Sequence, residues 1–406
     1  MTTHDPLRAA FDIREQLATA KRRLAFFFGA GTSMAVGLPG IQALTNNVDE
    51  KLQGEQKNHY RKVRAELPAG SNVEDVLDRI RIYRELIGKD ETKEYIGIKG
   101  PTAAQLLDSS VCRAICAAVS QGTAKGLKPH LILAQWLRAL HTSRERPVEI
   151  FTANYDLLFE QAMEIAGVPF FDGFVGAVAP FFVPESVEAD ETKLSASAYP
   201  PKDWTRLWKI HGSVNWYMHR TATGDVERIS RLSGTEAKEG QELVVFPSRE
   251  KYAESRKLPF IAYQDRLRKI LLSGECLVIV IGYAFSDEHL NEILFQGLRS
   301  NPRLALAAFI YSDLSEKVSH YGEMHRNLAL YGPDKACIGG KIANWGEPNR
   351  KRQEPELWPF WDDDAKRFKL GDFNSFASFL ELFVGFNSSR FTNVDGKAAE
   401  TAQPES

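Results

Sequence analysis

The run Cys276-Leu277-Val278-Ile279-Val280-Ile281 is apolar at every position. A strand with one wet face alternates, so an unbroken apolar run of this length predicts a strand covered on both faces, as in a parallel sheet with helices above and below. Further strand signals stand at residues 24–28, 148–152, 206–210, 243–246 and 304–311, and helical patterns separate several of them, at 155–165, 259–272 and 287–298. This alternation predicts an α/β fold, Rossmann-like and doubly wound, with a mostly parallel sheet. From 41 to 142 the texture is helical, with segments at 103–119 and 131–140. Its clearest segment begins at Ser71 with Glu74 three residues on, followed by Val76, Leu77, Ile80 and Ile87 at helix spacing, and reads as a capped amphipathic helix. The expected organisation is a Rossmann-type domain of residues 1–40 and 146–386, an inserted α-helical lobe of residues 41–145, and a disordered tail at 387–406. Residues 172–201 read as a surface loop and 221–240 as a hairpin or excursion.

Size and charge narrow the function classes. A chain of 406 residues exceeds what one core normally uses, which favours a domain plus a second lobe. The net charge of -2, without a long basic block, gives no reason to expect direct nucleic-acid binding. No run approaches the ~18 apolar residues of a membrane span, and residues 1–7 lack the order of a secretory signal, so a soluble, cytoplasmic protein is expected. Four cysteines are too few for a disulfide scaffold, and only Cys112 and Cys116 are near each other. They read as buried, reduced side chains, and no metal site is expected.

The strand at 24–28 ends in Gly29-Ala30-Gly31-Thr32-Ser33, with Gly37 beyond. Such a turn exposes backbone N–H groups and lets the chain approach a ligand closely, which suits a pyrophosphate. As a generic dinucleotide fingerprint it is incomplete, since Met34 stands where a third glycine would be, and alone it fits a structural turn equally well. Three further polar islands directly follow strands, at the carboxyl edge where open α/β sheets bind ligands. They are Thr152-Ala153-Asn154-Tyr155-Asp156, Lys209-Ile210-His211-Gly212-Ser213, and Gly282-Tyr283-Ala284-Phe285-Ser286-Asp287-Glu288-His289. Taken singly, Asn154, Asp156, Ser286 or Asp287 fits a helix N-cap and His211 a hydrogen-bonded turn histidine. Together they predict one site. Trp204, Trp208 and Trp216 read as packing, and His289 as a first-turn residue with no metal partner.

In order and spacing, Gly29-Ala30-Gly31-Thr32-Ser33 with Gly37-Leu38-Pro39, then Asn154-Tyr155-Asp156, then His211-Gly212, resemble the motifs of the sirtuin superfamily. The likeness runs from about residue 24 to 311. The Asn-Tyr-Asp form, the run from His211 to Trp216 and the run from Gly282 to Asp287 are more similar to the sirtuin-like NADases of bacterial antiphage defence, including the sirtuin-like subunit of sirtuin–HerA systems. The resemblance implies NAD as substrate, hydrolysed to nicotinamide and ADP-ribose so that the cell's NAD is depleted. It implies Asn154 and His211 as catalytic residues, Asn154 holding the attacking water or the ribose and His211 acting as base. It implies Gly29, Ala30, Gly31, Thr32, Ser33, Asp156, Gly282, Ser286 and Asp287 as binding residues, the last two on the adenosine side.

Two departures bear on this reading. Sirtuin deacylases carry Asp-Phe-Arg after the Gly-Leu-Pro-like turn, where this chain has Gly40-Ile41-Gln42, and they carry paired Cys-x-x-Cys zinc ligands that this chain lacks. Both point away from deacylation and toward an enzyme without zinc. An NAD-dependent protein deacylase and a nucleotide-binding regulatory subunit with little turnover remain the alternatives. After residue 311 about ninety-five residues remain, with a strand-like stretch at 337–345 and an amphipathic helix at 373–383. A separate sensor domain of ~100 residues or more is therefore not expected. Control is expected from a homo-oligomer and a possible HerA-like ATPase partner.

Overall fold

Strand β1, Arg23–Phe28, shows how the chain is layered. Leu24, Phe26 and Phe28 enter one core, whereas Ala25 and Phe27 enter another on the opposite face. Side chains alternate across a strand, so a strand buried throughout needs a cover on each side. The protein, seen in a computed structural model, is described at residues 3–120, 126–140, 144–188, 200–201, 203–220, 226–232, 242–245, 259–352 and 354–383. The expected tail at 387–406 lies outside these residues.

Helix α1, Pro6–Ala18, precedes β1. Asp5 caps it and Pro6 occupies its first turn, a start signal that the sequence reading passed over. After β1 come α2 (Ala30–Met34) and the lobe helices α3 (Ile41–Lys51), α4 (Gly54–Ala65) and α5 (Val73–Ile87). A small hairpin, β2 (Glu94–Tyr95) and β3 (Ile98–Lys99), leads to α6 (Gly100–Val119). These lobe helices share a core of their own, which includes Val48, Tyr60, Val76, Ile80, Leu107 and Ile115. Helix α7, Lys128–Leu140, which the sequence reading placed in the lobe, instead packs Leu133, Trp136 and Leu137 into the core beneath the sheet.

The chain then runs through β4 (Glu149–Thr152), α8 (Leu158–Ala166), β5 (Phe170–Phe171), β6 (Phe174–Val175), β7 (Phe181–Phe182), α9 (Pro184–Glu188) and β8 (Thr205–Lys209). It continues as β9 (Gly212–Arg220), β10 (Val226–Arg231), β11 (Glu242–Val245), α10 (Pro259–Leu271), β12 (Cys276–Ile281), α11 (Glu288–Ser300) and β13 (Leu304–Phe309). It closes with α12 (Glu316–Met324), β14 (Leu328–Tyr331), β15 (Lys335–Ile338), β16 (Lys341–Asn344), a short pair β17 (Trp361–Asp362) and β18 (Arg367–Phe368), and α13 (Phe373–Glu381).

Nine strands form the main sheet in the order β16-β15-β14-β13-β12-β1-β4-β8-β5. All pairings from β14 across to β5 are parallel, and β15 and β16 add an antiparallel edge. Helices α10, α11 and α12 cover one face, and α1, α7, α8 and α13 the other. The expected doubly wound α/β architecture is what the chain adopts. From β1 the order grows outward both ways, first to β4 and later back to β12, so β1 and β12 flank the point where the winding reverses.

Two local expectations need correction. Residues 172–188 are not simply a surface loop, because Phe174, Phe182 and Val187 are buried and the Arg231 guanidinium lies 2.7 Å from a buried Asp172 carboxylate. Strand β11 does not join the parallel sheet. It pairs antiparallel with β9 in a second sheet of order β11-β9-β10-β7-β6, in which β9 also pairs antiparallel with β10; of the hairpin or excursion expected at 221–240, only 226–232 fall among the described residues.

Candidate active site

Each polar island sits where an apolar strand ends, so parallel register carries them to one edge. Phe28 is level with Thr152 on one side and Ile281 on the other, and Thr152 with Lys209. The residues that follow, Gly29, Ala153, Ile210 and Gly282, therefore emerge side by side.

At the reversal point the β1 and β12 turns touch backbone to backbone. A Cβ on Gly29 would lie 2.5 Å from the Gly282 carbonyl oxygen, and one on Gly31 would lie 2.6 Å from Gly282 Cα. Gly282 itself has φ of +69°, in the region that favours glycine. Gly31 N–H donates to Gly282 O at 2.9 Å and Thr32 N–H to Gly29 O at 3.1 Å. The glycines are thus needed for close packing of the two turns, and these two amides are already used within the protein. This differs from the expectation of a turn whose amides stand open to a pyrophosphate. A Gly31→Val change would disturb the fold before it could report on a ligand.

Asn154, buried, ties β4 to that turn. Its Nδ2 lies 3.1 Å from Gly29 O, 3.0 Å from Thr32 Oγ1 and 2.8 Å from Ser33 Oγ. Facing a carbonyl oxygen fixes the amide orientation, because the flipped form would set oxygen against oxygen. The two hydroxyl protons go elsewhere, Thr32 to Gly29 O at 2.9 Å and Ser33 to Asp156 Oδ2 at 2.5 Å, which leaves their lone pairs for the amide. Asp156 Oδ1 accepts from Leu158 N–H at 3.1 Å, so this carboxylate both starts α8 and anchors Ser33. The islands at Gly29 and Asn154 are one connected network. Ala30 and Ser286 are exposed.

Lys209, the last residue of β8, is buried and contacts the Asp156 carbonyl and Glu160 Oε1, the latter at 2.8 Å. Two residues on, His211 is buried with its Nε2 3.2 Å from Asp287 Oδ2. The other oxygen of Asp287 caps α11 through His289 N–H at 2.9 Å and Leu290 N–H at 3.1 Å. Asp287, expected toward the adenosine side, is thus bonded to the candidate base. Phe285, just before, is buried at φ +53°, strained backbone that its packing against Tyr283 and Phe295 holds in place.

The sequence reading missed Glu74. It assigned Ser71 and Glu74 to a capping box, but the cap is Asn72 and the box closes with Asp75. Glu74 is thereby free to turn toward the sheet, where Tyr155 hydroxyl donates to its Oε1 at 2.5 Å. Burial raises the Glu74 carboxyl above its ordinary range, against the opposing influence of His211. Burial alone would lower the His211 pKa, but the bond to Asp287 and the negative charges of Glu74 and Asp287 outweigh it, and the imidazole holds its proton above the ordinary range. Burial works against the charge of Asp287, and the His211 bond and charge overcome it, so that carboxyl stays below its ordinary range.

Residues 148–329 match the SIR2-like domain. That segment is less than half of the chain and contains Asn154, Asp156, His211, Gly282, Ser286 and Asp287, while the β1 turn and the lobe fall outside it. No curated protein matches the chain. Among solved structures, a triple mutant of Sir2 homologues in complex with 2'-O-acetyl ADP ribose is 13% identical, covers 76% of this chain and 86% of its own, and has a TM-score of 0.36. A Sir2 mutant with a p53 peptide and NAD is 12% identical, with 75% and 86% covered and a TM-score of 0.32. A mutant Sir2 homologue with ADP ribose is 13% identical, with 89% and 93% covered and a TM-score of 0.35. The fold class rests on the sheet order above, independently of these likenesses.

Among the described residues no helix is long and apolar enough to cross a membrane, and no three His, Cys, Asp or Glu residues are grouped to hold a metal ion. The four cysteines are buried and dispersed, Cys112 and Cys116 on α6, Cys276 in β12 and Cys337 in β15.

Proposed function

We propose that this chain hydrolyses NAD to nicotinamide and ADP-ribose. The observation that carries the reading is that a buried imidazole held by a carboxylate and the buried amide Asn154, all in the SIR2-like segment, follow adjacent strands at one edge of the sheet. In the reaction a water oxygen bonds to the anomeric carbon of the ribose, the glycosidic bond breaks with its electron pair going to the nicotinamide nitrogen, and the water's proton passes to a base. The pyridinium leaves as a neutral molecule, so no acid is needed for it. What the protein must supply is a held ribose and a directed water.

Asn154 Nδ2 is committed to the β1 turn, which leaves Oδ1 as the amide atom to which a water or ribose hydroxyl can donate. His211 accepts the proton in its neutral form, with Asp287 fixing the ring through Nε2. Because its proton is held above the ordinary range, cleavage should rise as the pH passes upward through the His211 titration. Gly29, Gly31 and Gly282 form the floor, Ala30 and Ser286 lie exposed at its rim, and Thr32, Ser33 and Asp156 brace it. Hydrolysis is favoured over deacylation because the dispersed cysteines cannot make a four-thiolate zinc site.

By its resemblance to antiphage sirtuin-like NADases, the chain would deplete NAD in the cytoplasm, as a homo-oligomer governed by a HerA-like ATPase. Incubation of pure protein with NAD, reading free nicotinamide, tests the chemistry. Asn154→Ala and His211→Ala, each shown to be folded, should lower cleavage at least about a hundredfold. Near-wild-type hydrolysis by either would sink the assignment. Mass photometry with and without the ATPase, beside the same assay, tests the control: a fully active monomer indifferent to the partner would refute it.

A further inference from the structure

The proposed reaction gives no role to the lobe, yet a lobe side chain, Glu74, bonds the residue next to Asn154. Glu74 lies in the first turn of α5, on a helix whose neighbours Val73, Val76 and Leu77 are fixed in the lobe core. Its carboxylate receives the Tyr155 hydroxyl at 2.5 Å. The backbone of the same Tyr155 is tied to the segment after His211, because Val214 N–H donates to Tyr155 O at 2.9 Å. Val214 in turn is part of the lobe core. Tyr155 thus joins lobe and sheet through its main chain and its side chain at once, between the two candidate catalytic residues Asn154 and His211.

We propose that Glu74 is a positioning residue of the lobe that closes a two-carboxylate clamp on His211, so that the pH at which His211 gives up its proton depends on the lobe being docked. The inference rests on the reading of His211 as base for its functional meaning, though not for its test. Two carboxylates from different elements act on the imidazole: Asp287, at the start of α11, bonds it directly, and Glu74, in the first turn of α5, adds a second negative charge. Tyr155, between them, holds Glu74 by its hydroxyl. Lys209, on His211's own strand, is occupied with Glu160 and the Asp156 carbonyl.

With both carboxylates ionised, the imidazole keeps its proton to higher pH than Asp287 alone would allow. Movement of the lobe away from the sheet withdraws Glu74 and lets His211 deprotonate sooner. Lobe position is thereby converted into base strength. The three groups titrate as a set, with Glu74 taking up a proton as the pH falls and His211 losing one as it rises.

The test follows the His211 ring by NMR in protein labelled at histidine Cε1, with His211→Asn identifying its resonance. Glu74→Gln keeps an acceptor for Tyr155 and removes only the charge. It should move the His211 midpoint down by at least about half a pH unit, with Glu74→Asp restoring part of the shift. Tyr155→Phe, which removes neither charge, should move it down by less, since Glu74 then protonates more readily. The pH profile of nicotinamide release should shift in the same direction. An unmoved His211 midpoint in folded Glu74→Gln overturns the clamp, and should that variant not fold, an unmoved midpoint in Tyr155→Phe does so. If the midpoint shifts but wild-type protein releases no nicotinamide, the clamp stands and the proposed function fails. If nicotinamide is released but the midpoint is fixed, the reverse holds.

Discussion

In the sheet, the buried Glu149 carboxylate is bonded bidentately by the Arg266 guanidinium at 2.6 and 2.8 Å and by the Trp208 indole N–H at 2.8 Å, and Arg206, level with it on β8, adds positive charge. In the lobe, the buried Asp108 carboxylate is held by two, Arg84 at 2.9 Å and Arg81 at 3.5 Å, with the Cys112 thiol donating at 3.4 Å. Burial opposes ionisation of both carboxyls, and in both the arginine charges win. Losing Arg266 strips Glu149 of its bidentate partner, whereas losing Arg84 leaves Asp108 still paired. The contrast is between one close bidentate contact and two contacts from separate guanidinium groups.

The sharpest way to break this comparison is to truncate one arginine in each region. Arg266→Ala should cost about 3–5 kcal/mol, as expected when a buried carboxylate loses its partner. Denaturant unfolding measures this, and a cost below about 1 kcal/mol would show that Glu149 finds another cation. Arg84→Ala should cost about 1–2 kcal/mol by the same measurement, because Arg81 remains. Equal losses in the two variants would erase the distinction.

An effect smaller than that of Arg266→Ala sharpens the sheet side through pH. His130 on α7 is buried beneath the sheet against Phe159 and Phe373, with neither ring nitrogen hydrogen-bonded, and burial pushes its pKa down to about 4. A folded pKa below the unfolded value near 6.5 means that the unfolded chain binds the extra proton first. Stability is therefore intact above about 6.5 and declines as the pH falls toward 4. His130→Leu should flatten that decline by about 2 kcal/mol between pH 7 and pH 4.5, read as the difference in unfolding free energy. An identical pH dependence in variant and wild type would place the acid lability elsewhere.

The smallest expected effect sharpens the lobe side. Asn72→Ala should cost about 1 kcal/mol through loss of the α5 cap, while Ser71→Ala should cost a few tenths at most. The opposite order, by thermal unfolding, would return the cap to Ser71 and leave the direction of Glu74 unexplained.

The sheet-edge residues were legible in the sequence for a simple reason. An apolar run ends where its strand leaves the core, so the sequence alone places Asn154, His211 and Asp287 near one edge. Glu74 was not legible in that way. A helix start fixes only roughly where the first turn lies, and Ser71 and Asn72 are both good caps. The choice of Asn72 moved the box by one residue, from Glu74 to Asp75, and left Glu74 to bond Tyr155 instead. Asp172 was hidden for a different cause: its partner Arg231 is far along the chain, and such pairing leaves no periodic trace. The β9–β10 pair was partly visible, but its membership in a second sheet depends on contacts with β7 that no local pattern encodes.

The contact among Gly29, Gly31 and Gly282 bears on how anything bound at the sheet edge would be received. With three backbones in van der Waals contact and Gly31 N–H bonded to Gly282 O, the two turns behave as one stiff plate, set when the chain folds. A guest seated on it need not freeze the floor on arrival, so that part of the ordering entropy is already spent and does not subtract from affinity. The same stiffness denies the floor any freedom to reshape around a different guest. Were a nucleotide the guest, as proposed, its discrimination would fall to side chains around this floor rather than to the floor itself.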